Sequence, residues 1–399
     1  MSRVVIVGAG QAGANAASAL RATGHQGPVT LIGAEAHRPY ERPQLSKELL
    51  VDPAAELQSI KTAAFWDESG VDLWLGATVG AVDVERREVA LLDGRVAPYD
   101  RLLIATGLVP RRCLALEGGA IPLHYLRTFE DARSIRAGLV PGKRIAILGG
   151  GIIGLEVASA AVGAGVAVTL IELADQLLGR VLPTEVSRIL QASHEAAGVE
   201  FCFGVSAVGI DVGAVILSDG SRVAADMIVA GIGVEPPSGI VAAFGLRPDE
   251  AFRVDARTAT AFDNVHAAGD AAIQFDAWHD RWMRVETWAN AQNQAIVAAK
   301  AMIGQDVRYE GPLWFWSDQL GINLQVVGCA LGDGLVFRGD PSSNRFSVVS
   351  LRGDEVVGGV TWNNPKEMAA LRRLVAARKR VAKGDLENPC FDLRAAAAA

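Results

Sequence analysis

The sequence predicts an α/β fold made of two Rossmann-like halves, followed by a smaller α+β C-terminal domain. Residues 4–20 (VVIVGAGQAGANAASAL) are echoed by residues 145–161 (IAILGGGIIGLEVASAA), and each segment has the pattern of a strand, a glycine turn and a helix. From about Leu313 the pattern changes to alternating apolar strands and a late helix, predicted from Pro365 to Lys383. The repeat therefore predicts two βαβ units, and the change of pattern predicts a separate last domain.

Length and composition limit the classes of protein to which the chain can belong. At 399 residues it is too long for one ordinary core, so two or three domains are expected. The 43 glycines and the aromatic content of 6% suit short aliphatic strands joined by tight turns. The net charge of −7 argues against a nucleic-acid partner or an anionic membrane surface, and no apolar run approaches the roughly 18 residues of a membrane helix. We expect a cytoplasmic protein.

The elements around the two copies indicate the domain boundaries. Residues 29–32 and 168–171 share the sequence VTLI and supply the second strand of each half. Residues 100–107 and 225–233 each have the pattern of an apolar strand that ends in a glycine turn, and the segment 286–302 has that of an alanine-rich helix. The predicted domains are residues 1–110 with 235–312, residues 111–234, and residues 313–399. Residues 395–399 are expected to form a frayed tail.

The first glycine turn has the spacing of a dinucleotide site. Gly8 permits the tight turn, Gly10 lets the backbone approach a pyrophosphate, and Gly13 allows the helix to pack closely on the strand. The helix that follows supplies unpaired N–H groups and the positive end of its dipole. A glycine-rich connection without a ligand is the alternative, which the second copy of the arrangement disfavours.

The second turn repeats this spacing with Gly149, Gly151 and Gly154, and it has an acid in the expected place. Glu172 ends the following strand, where a carboxylate accepts hydrogen bonds from a ribose 2′-hydroxyl and repels a 2′-phosphate. No arginine stands beside it, so NADH is favoured over NADPH.

The first half has no acid at the equivalent position. Gly33 occupies it, and the nearest acid, Glu35, follows two residues later. Glu35 is therefore the candidate for the adenosine ribose of the first dinucleotide.

The motifs beyond the first turn identify a family. Residues 38–47 (RPYERPQLSK) are followed, in order, by ATG at 105–107, YLRTFED at 125–131, GIG at 231–233, GD at 269–270, VETWANAQNQ at 285–294 and WFWSDQ at 314–319. Over nearly its whole length the chain resembles the NADH–ferredoxin reductases of aromatic-ring dioxygenase systems, with putidaredoxin reductase and apoptosis-inducing factor as more distant relatives. The resemblance implies a glutathione-reductase-like arrangement that binds FAD in the first half and NADH in the second.

Through the resemblance, four residues are expected around the flavin ring. Lys47 is expected beside the flavin, where a cation favours the anionic reduced ring, and in a pair with Glu156. Trp288 and Trp316 are expected close to the isoalloxazine. The alternatives are a solvated helix cap for Lys47, a first-turn acid for Glu156 and core aromatic residues for the two tryptophans.

The resemblance also implies contacts to the rest of the FAD. Arg42 and Arg127 are expected on the flavin nucleotide, and Asp270 on a ribityl hydroxyl. Ala12 and Val79 are expected to contribute backbone near the pyrophosphate and the adenine. An ordinary surface charge for Arg42 and a turn acid for Asp270 are the alternatives. The other cofactor-binding positions carried over are Thr106, Gly107, Ile153, Gly231 and Gly233.

The reaction implied is electron transfer to a protein carrier. FAD accepts two electrons from NADH at flavin N5 and releases them singly, which suits a [2Fe–2S] ferredoxin, plant-type or Rieske, that feeds a terminal oxygenase. Disulfide reductases and NADH peroxidases of this superfold need cysteine after the first unit, where Leu45, Ser46 and Lys47 supply none. Two alternatives stay open: a redox sensor like apoptosis-inducing factor, and a reductase of a small-molecule radical.

The late helix is a candidate docking surface. Its basic residues would steer an acidic ferredoxin, and a solvated helix face is the alternative reading. These residues are Arg372, Arg373, Arg378, Lys379, Arg380 and Lys383. The six histidines show no metal-ligand spacing and are assigned no role, and the four cysteines form no CxxC.

Overall fold

The computed structural model describes residues 1–247 and 251–398. Two compact units divide the chain: Met1–Glu41, Leu57–Val109 and Glu235–Leu313 form the first, and Arg42–Glu56, Pro110–Val234 and Trp314–Ala399 form the second. The chain passes from one unit to the other after Glu41, Glu56, Val109, Val234 and Leu313. The three domains expected from the sequence stay a prediction.

The first unit is built on a five-stranded parallel sheet. Its strands, in spatial order, are Val265–Ala267, Arg101–Ile104, Val4–Val7, Val29–Ile32 and Val71–Trp74. Two three-stranded sheets accompany it, made of Val79–Asp83, Glu88–Leu91 and Val96–Pro98, and of Phe252–Arg253, Ala272–Asp276 and Arg281–Met283. Every side chain of Val4–Val7 is buried, as expected for a parallel strand covered on both faces.

Small residues let two helices of the first unit pack closely beside this sheet. Gln11–Ala22 and Trp288–Met302 share one core cluster, in which Ala16, Ala17 and Ala298 are completely buried. Thr287 caps the second of these helices by accepting a hydrogen bond from the N–H of Asn290. The other helical segments of the unit are Ala63–Glu68, Ser238–Ala243 and the 3₁₀ turn Gly269–Ala271.

The second unit repeats the parallel architecture. Its strands, in spatial order, are Val199–Phe203, Ala167–Glu172, Arg144–Leu148, Met227–Ala230 and Leu123–Tyr125. A small antiparallel sheet consists of Ala207–Asp211, Ala214–Leu217 and Arg222–Ala224. The helices are Glu48–Val51, Phe129–Gly138, Ile152–Gly163 and Thr184–Ala196, and the 3₁₀ turns are Arg42–Ser46 and Leu114–Leu116.

The last part of the second unit is an antiparallel sheet with helices. Its strands, in spatial order, are Trp314–Gln319, Ile322–Gly328, Glu355–Trp362, Arg345–Arg352 and Gly334–Asp340. The helices are Pro365–Ala376, Lys383–Glu387 and Leu393–Ala398, and Pro341–Ser343 is a 3₁₀ turn. The predicted fold class, two parallel α/β halves and an α+β C-terminal part, is confirmed.

The late helix predicted from Pro365 to Lys383 is wrong in its extent. The helix ends at Ala376, and Arg378 takes a left-handed conformation with φ of 49°. The chain then runs along the sheet, because the Lys379 carbonyl accepts a hydrogen bond from Val356 N and Arg380 forms a bridge with Glu355. The predicted basic face is therefore divided between a helix, a loop and the start of Lys383–Glu387.

The expected frayed tail is also wrong within the described residues. Leu393–Ala398 is a helix, anchored by Leu393, which is 2% exposed. Asp392 accepts the N–H of Arg394 at its start. Ala399 lies outside the described residues. Within residues 1–247 and 251–398, no helix has both the length and the apolar character needed to cross a membrane.

Candidate functional site

The first glycine turn is shaped by backbone that approaches too closely for any side chain. Gly8 has φ of 112°, and a Cβ atom there would lie 2.2 Å from the Ala105 carbonyl oxygen. A Cβ atom at Gly13 would lie 1.9 Å from the Gly8 carbonyl oxygen. Gly10 begins the helix Gln11–Ala22 without a side-chain cap, so the first N–H groups face the turn. The arrangement fits a diphosphate.

Residues around this turn supply further polar groups for a ligand. Thr106 Oγ1 is buried and has no hydrogen-bond partner among the described residues, and Gly107 beside it has φ of 63°. Asp270 lies in the turn after Gly269, where a Cβ atom would be 3.2 Å from Ala12 Cβ. The structure thus brings Ala12 and Asp270 to the same place, and an unpaired buried hydroxyl fits a bound dinucleotide.

The remaining candidates of the first unit have protein partners. The hydroxyl of Tyr40 donates to Glu35 Oε2 over 2.5 Å. Trp288, the first residue of its helix, donates its indole N–H to Glu41 Oε2 over 2.5 Å, and burial raises the pKa of Glu41. Val79 begins the strand Val79–Asp83 and is half-buried. Sequence reasoning missed Glu41, although it lies inside the motif of residues 38–47.

The second glycine turn has the same construction. Gly149 has φ of 99°, and a Cβ atom there would lie 2.4 Å from the Gly231 carbonyl oxygen. A Cβ atom at Gly154 would lie 2.1 Å from the Gly149 carbonyl oxygen. Gly151 begins the helix Ile152–Gly163 without a side-chain cap, and Ile153 is 43% exposed. An open helix N-terminus and an exposed apolar side chain together fit a second dinucleotide.

Glu172 is held in place beside this turn. Its Oε2 accepts a hydrogen bond from Gly150 N at 2.6 Å, and its Oε1 accepts one from Ala174 N at 2.8 Å. The carboxylate therefore stands at the edge of the glycine turn with a fixed orientation. Gly233 lies in the turn between the strands Met227–Ala230 and Val234–Glu235 with φ of 110°, and its carbonyl oxygen accepts a hydrogen bond from the Arg111 N–H.

Lys47 and Glu156 form the pair expected from the resemblance. Lys47 Nζ lies 3.3 Å from Glu156 Oε1 and 3.8 Å from Asp318 Oδ2, and 5.8 Å from the ring centroid of Trp316. The lysine side chain is 16% exposed, which excludes a fully solvated cap. Glu156 is 4% exposed and lies beyond the first turn of its helix, so it is not an ordinary first-turn acid.

Arg42 and Arg127 are also brought together. The guanidinium of Arg42 donates to the carbonyl oxygen of Arg127. The next residue, Thr128, caps the helix Phe129–Gly138 in a reciprocal arrangement with Asp131. This cap fixes the backbone conformation directly after Arg127.

Sequence reasoning missed the side chains that surround Glu156. Ser46 and Ser317 both donate hydroxyl hydrogen bonds to its carboxylate. Gln319 donates to Ser317, and His194 contacts Gln319, so a histidine to which no role was assigned belongs to this cluster. The serines and the glutamine lie inside recognised motifs, whereas His194 carries no sequence signal.

Thiol and metal chemistry find no support in the described residues. None of the four cysteines forms a disulfide bond in the described structure, and burial raises the pKa of the Cys113 and Cys202 thiols, which disfavours the reactive thiolate. In the part of the chain that the structure describes, no cluster of three or more His, Cys, Asp or Glu side chains fits a metal ion.

Two family models match the chain. One, described as pyridine nucleotide-disulphide oxidoreductase, matches residues 2–295, and the other, described as reductase C-terminal, matches residues 314–397.

Known proteins resemble the chain over nearly its full length. The p-cumate 2,3-dioxygenase system ferredoxin–NAD(+) reductase component of Pseudomonas putida is 45% identical, over 99% of this chain and 98% of that protein. The anthranilate 1,2-dioxygenase system ferredoxin–NAD(+) reductase component of Burkholderia cepacia is 40% identical, over 98% of both chains. The crystal structure of a covalent putidaredoxin reductase–putidaredoxin complex contains a chain with a TM-score of 0.94 and 36% identity, covering 100% of this chain and 98% of its own.

Proposed function

The chain belongs to the pyridine nucleotide-disulphide oxidoreductase family, among the ferredoxin–NAD(+) reductase components, and from this we propose that it transfers electrons from NADH through FAD to a [2Fe–2S] ferredoxin. The ferredoxin, plant-type or Rieske, then serves a terminal oxygenase that acts on an aromatic compound. When bound, FAD would accept two electrons together from NADH and release them one at a time. The protein supplies binding, orientation and charge.

One observation carries this proposal. Where disulfide-reducing enzymes of the superfold need cysteine, this chain has Leu45, Ser46 and Lys47, and Lys47 is paired with the buried Glu156. A cation there stabilises negative charge on a reduced ring, but it cannot form a disulfide with a substrate. The electrons therefore leave toward an external acceptor.

We assign the FAD seat to the first glycine turn and the residues around it. The N–H groups after Gly10 would hold the pyrophosphate, Thr106 Oγ1 would gain a partner, and Asp270 would accept a ribityl hydroxyl. The other residues of the first unit assigned to this seat are Gly8, Ala12, Gly13, Glu35, Val79, Gly107 and Trp288. The resemblance further assigns contacts to the FAD to Arg42, Lys47, Arg127 and Trp316.

We assign the NADH seat to the second glycine turn. Its helix N-terminus would hold the pyrophosphate, and Glu172, fixed by two backbone N–H groups, would accept the ribose hydroxyls and repel a 2′-phosphate. The other residues assigned here are Gly149, Gly151, Ile153, Gly154, Gly231 and Gly233.

A ferredoxin-dependent assay separates this function from its alternatives. The purified holoenzyme is mixed with NADH and cytochrome c, with and without an added plant-type or Rieske ferredoxin. Rapid cytochrome c reduction that requires the ferredoxin is expected. A rate independent of ferredoxin contradicts the proposal, and slow turnover with every acceptor favours a redox sensor. Rapid oxidation of NADH by a small organic radical favours the radical reductase.

A cytoplasmic location belongs to the same proposal. None of the four cysteines forms a disulfide bond in the described structure, as is usual where thiols are kept reduced. Cell fractionation with an antibody to the chain tests this, and recovery outside the cytoplasmic fraction contradicts it.

A further inference from the structure

We propose that Ser317, Gln319 and His194 form a buried relay of hydrogen-bond donors that positions Glu156, and through it Lys47. Glu156 is carried by the helix Ile152–Gly163, Ser317 and Gln319 by the edge strand Trp314–Gln319, and His194 by the helix Thr184–Ala196. The inference rests on the proposed function only in placing Lys47 beside the flavin. The relay itself is a property of the second unit.

The relay is fully enclosed by protein. His194 and Ser317 are 0% exposed, Gln319 is 3% exposed and Glu156 is 4% exposed. His194 Nε2 lies 2.7 Å from Gln319 Oε1, Gln319 Nε2 lies 3.0 Å from Ser317 Oγ, and Ser317 Oγ lies 2.6 Å from Glu156 Oε1. Three consecutive contacts of hydrogen-bond length join the histidine to the carboxylate.

The carboxylate determines which atom donates and which accepts in every hydrogen bond of the relay. An ionised Glu156 only accepts, so the Ser317 hydroxyl must donate to it and accept from the Gln319 amide nitrogen. The Gln319 carbonyl oxygen then faces His194, which must carry its proton on Nε2. His194 Nδ1 is buried without a partner in the described structure, which suits an unprotonated nitrogen in a neutral ring. Burial also lowers the pKa of His194.

The relay matters because the carboxylate of Glu156 pairs with Lys47 at a place that solvent hardly reaches. A carboxylate this deeply buried needs both an opposite charge and hydrogen-bond donors. Lys47 supplies the charge at 3.3 Å, Ser46 donates to Oε2, and Ser317 donates to Oε1. Ser317 and Gln319 are therefore positioning residues: they orient the carboxylate, and the carboxylate orients the lysine ammonium.

The state of His194 tests the relay without reference to the flavin. Two-dimensional spectra of the ¹⁵N-histidine-labelled holoenzyme at neutral pH report which ring nitrogen carries the proton, and loss of one resonance in His194→Gln assigns it. The relay requires a neutral ring with its proton on Nε2. A proton on Nδ1, or a charged ring, overturns it.

The effect on the flavin is tested by paired substitutions. Ser317→Ala is expected to slow anaerobic flavin reduction by NADH about tenfold, the scale of a lost hydrogen bond to a charged group, and to shift the flavin midpoint potential. Gln319→Leu, which acts on the carboxylate only through Ser317, is expected to have a smaller effect in the same direction. Because both act through Glu156, neither effect should appear in a Glu156→Gln background. Effects of equal size in both backgrounds overturn the proposal.

A matched control separates positioning from general destabilisation. Ser350 lies in a strand of the same antiparallel sheet and is also 0% exposed, and it donates to the carbonyl oxygen of Ala330, which lies in the loop after the strand Ile322–Gly328. Ser350→Ala should lower the free energy of unfolding but leave the rate of flavin reduction and the flavin midpoint potential unchanged. If it changes either quantity as much as Ser317→Ala does, a specific relay is contradicted. If Glu156→Gln itself leaves the flavin unaffected while His194 keeps its Nε2 proton, the proposed place of Lys47 fails and the relay stands.

Discussion

At the scale of single residues, Glu172 is expected to decide which nicotinamide nucleotide is used. Glu172→Gln keeps one side-chain oxygen as a hydrogen-bond acceptor and keeps the size of the side chain, but it removes the negative charge that repels a 2′-phosphate. The ratio of kcat/KM for NADH to that for NADPH should fall about tenfold, equivalent to about 1.4 kcal/mol of differential binding. Steady-state kinetics with both nucleotides measure this.

Glu200 provides the control for this charge change. It is exposed on the neighbouring strand Val199–Phe203, and Glu200→Gln removes the same charge away from the glycine turn. The ratio of kcat/KM for NADH to that for NADPH in Glu200→Gln should equal the ratio of the unchanged protein. An unaltered ratio in Glu172→Gln would assign the selectivity to another residue.

At the scale of one element, the helix Ile152–Gly163 carries its own matched pair of glycines. A Cβ atom at Gly154 would lie 2.1 Å from the Gly149 carbonyl oxygen, whereas one at Gly163 would meet no atom within 4 Å. Gly154→Ala should therefore displace the turn, weaken NADH binding about tenfold or more and destabilise the unit. Gly163→Ala should keep NADH affinity and gain about 0.5 kcal/mol, since alanine restricts the unfolded chain.

Calorimetric titration of NADH and denaturant unfolding of both variants give these quantities. Equal NADH affinity in the two variants would mean that the close approach of Gly154 does not shape the site. A loss of stability in Gly163→Ala would contradict the open surroundings of that residue.

The same element shows how much a sequence can predict. Gly149, Gly151 and Gly154 follow a local spacing rule set by the strand, the turn and the helix, so their positions and conformations were predictable. His194 joins the environment of Glu156 through residues more than a hundred positions away, and no spacing rule connects them. The exact end of the late helix at Ala376 depends on pairing with the sheet, which local periodicity does not contain.

At the scale of the whole molecule, buried histidines make stability depend on pH. Burial lowers the pKa of His25, His194 and His266 below the value near 6.5 of an unfolded chain. The unfolded state therefore binds protons first, and the free energy of unfolding should fall as the pH drops below about 6.5. Each histidine contributes at most about 1.4 kcal/mol per pH unit.

Denaturant unfolding at pH 7.5, 6.0 and 5.0 checks this dependence. His194→Gln should be less stable at pH 7.5 but lose less stability on acidification. Ser350→Ala, which removes a buried hydrogen bond but no titrating group, serves as the control and should keep the slope of the unchanged protein. An identical slope in His194→Gln would contradict the assignment to this residue.

Docking of the ferredoxin is also a property of the whole charge distribution. Several basic residues of segment 372–383 are compensated locally, because Arg378, Arg380 and Lys383 lie 3.5, 3.7 and 3.6 Å from Glu355, Asp354 and Glu387. Exposed pairs of this kind add little net field, so we expect steering to depend on Arg373, which is exposed on the helix Pro365–Ala376.

Arg373→Glu should lower kcat/KM for an acidic [2Fe–2S] ferredoxin about threefold at low ionic strength, with NADH-dependent flavin reduction unchanged. The difference should disappear near 1 M salt, where the screening length is about 3 Å. Arg86→Glu changes the charge of the first unit equally and should have no effect, since Arg86 is 78% exposed and lies outside the segment. If Arg373→Glu reduces the ferredoxin as fast as the unchanged protein at low salt, the carrier docks on another surface.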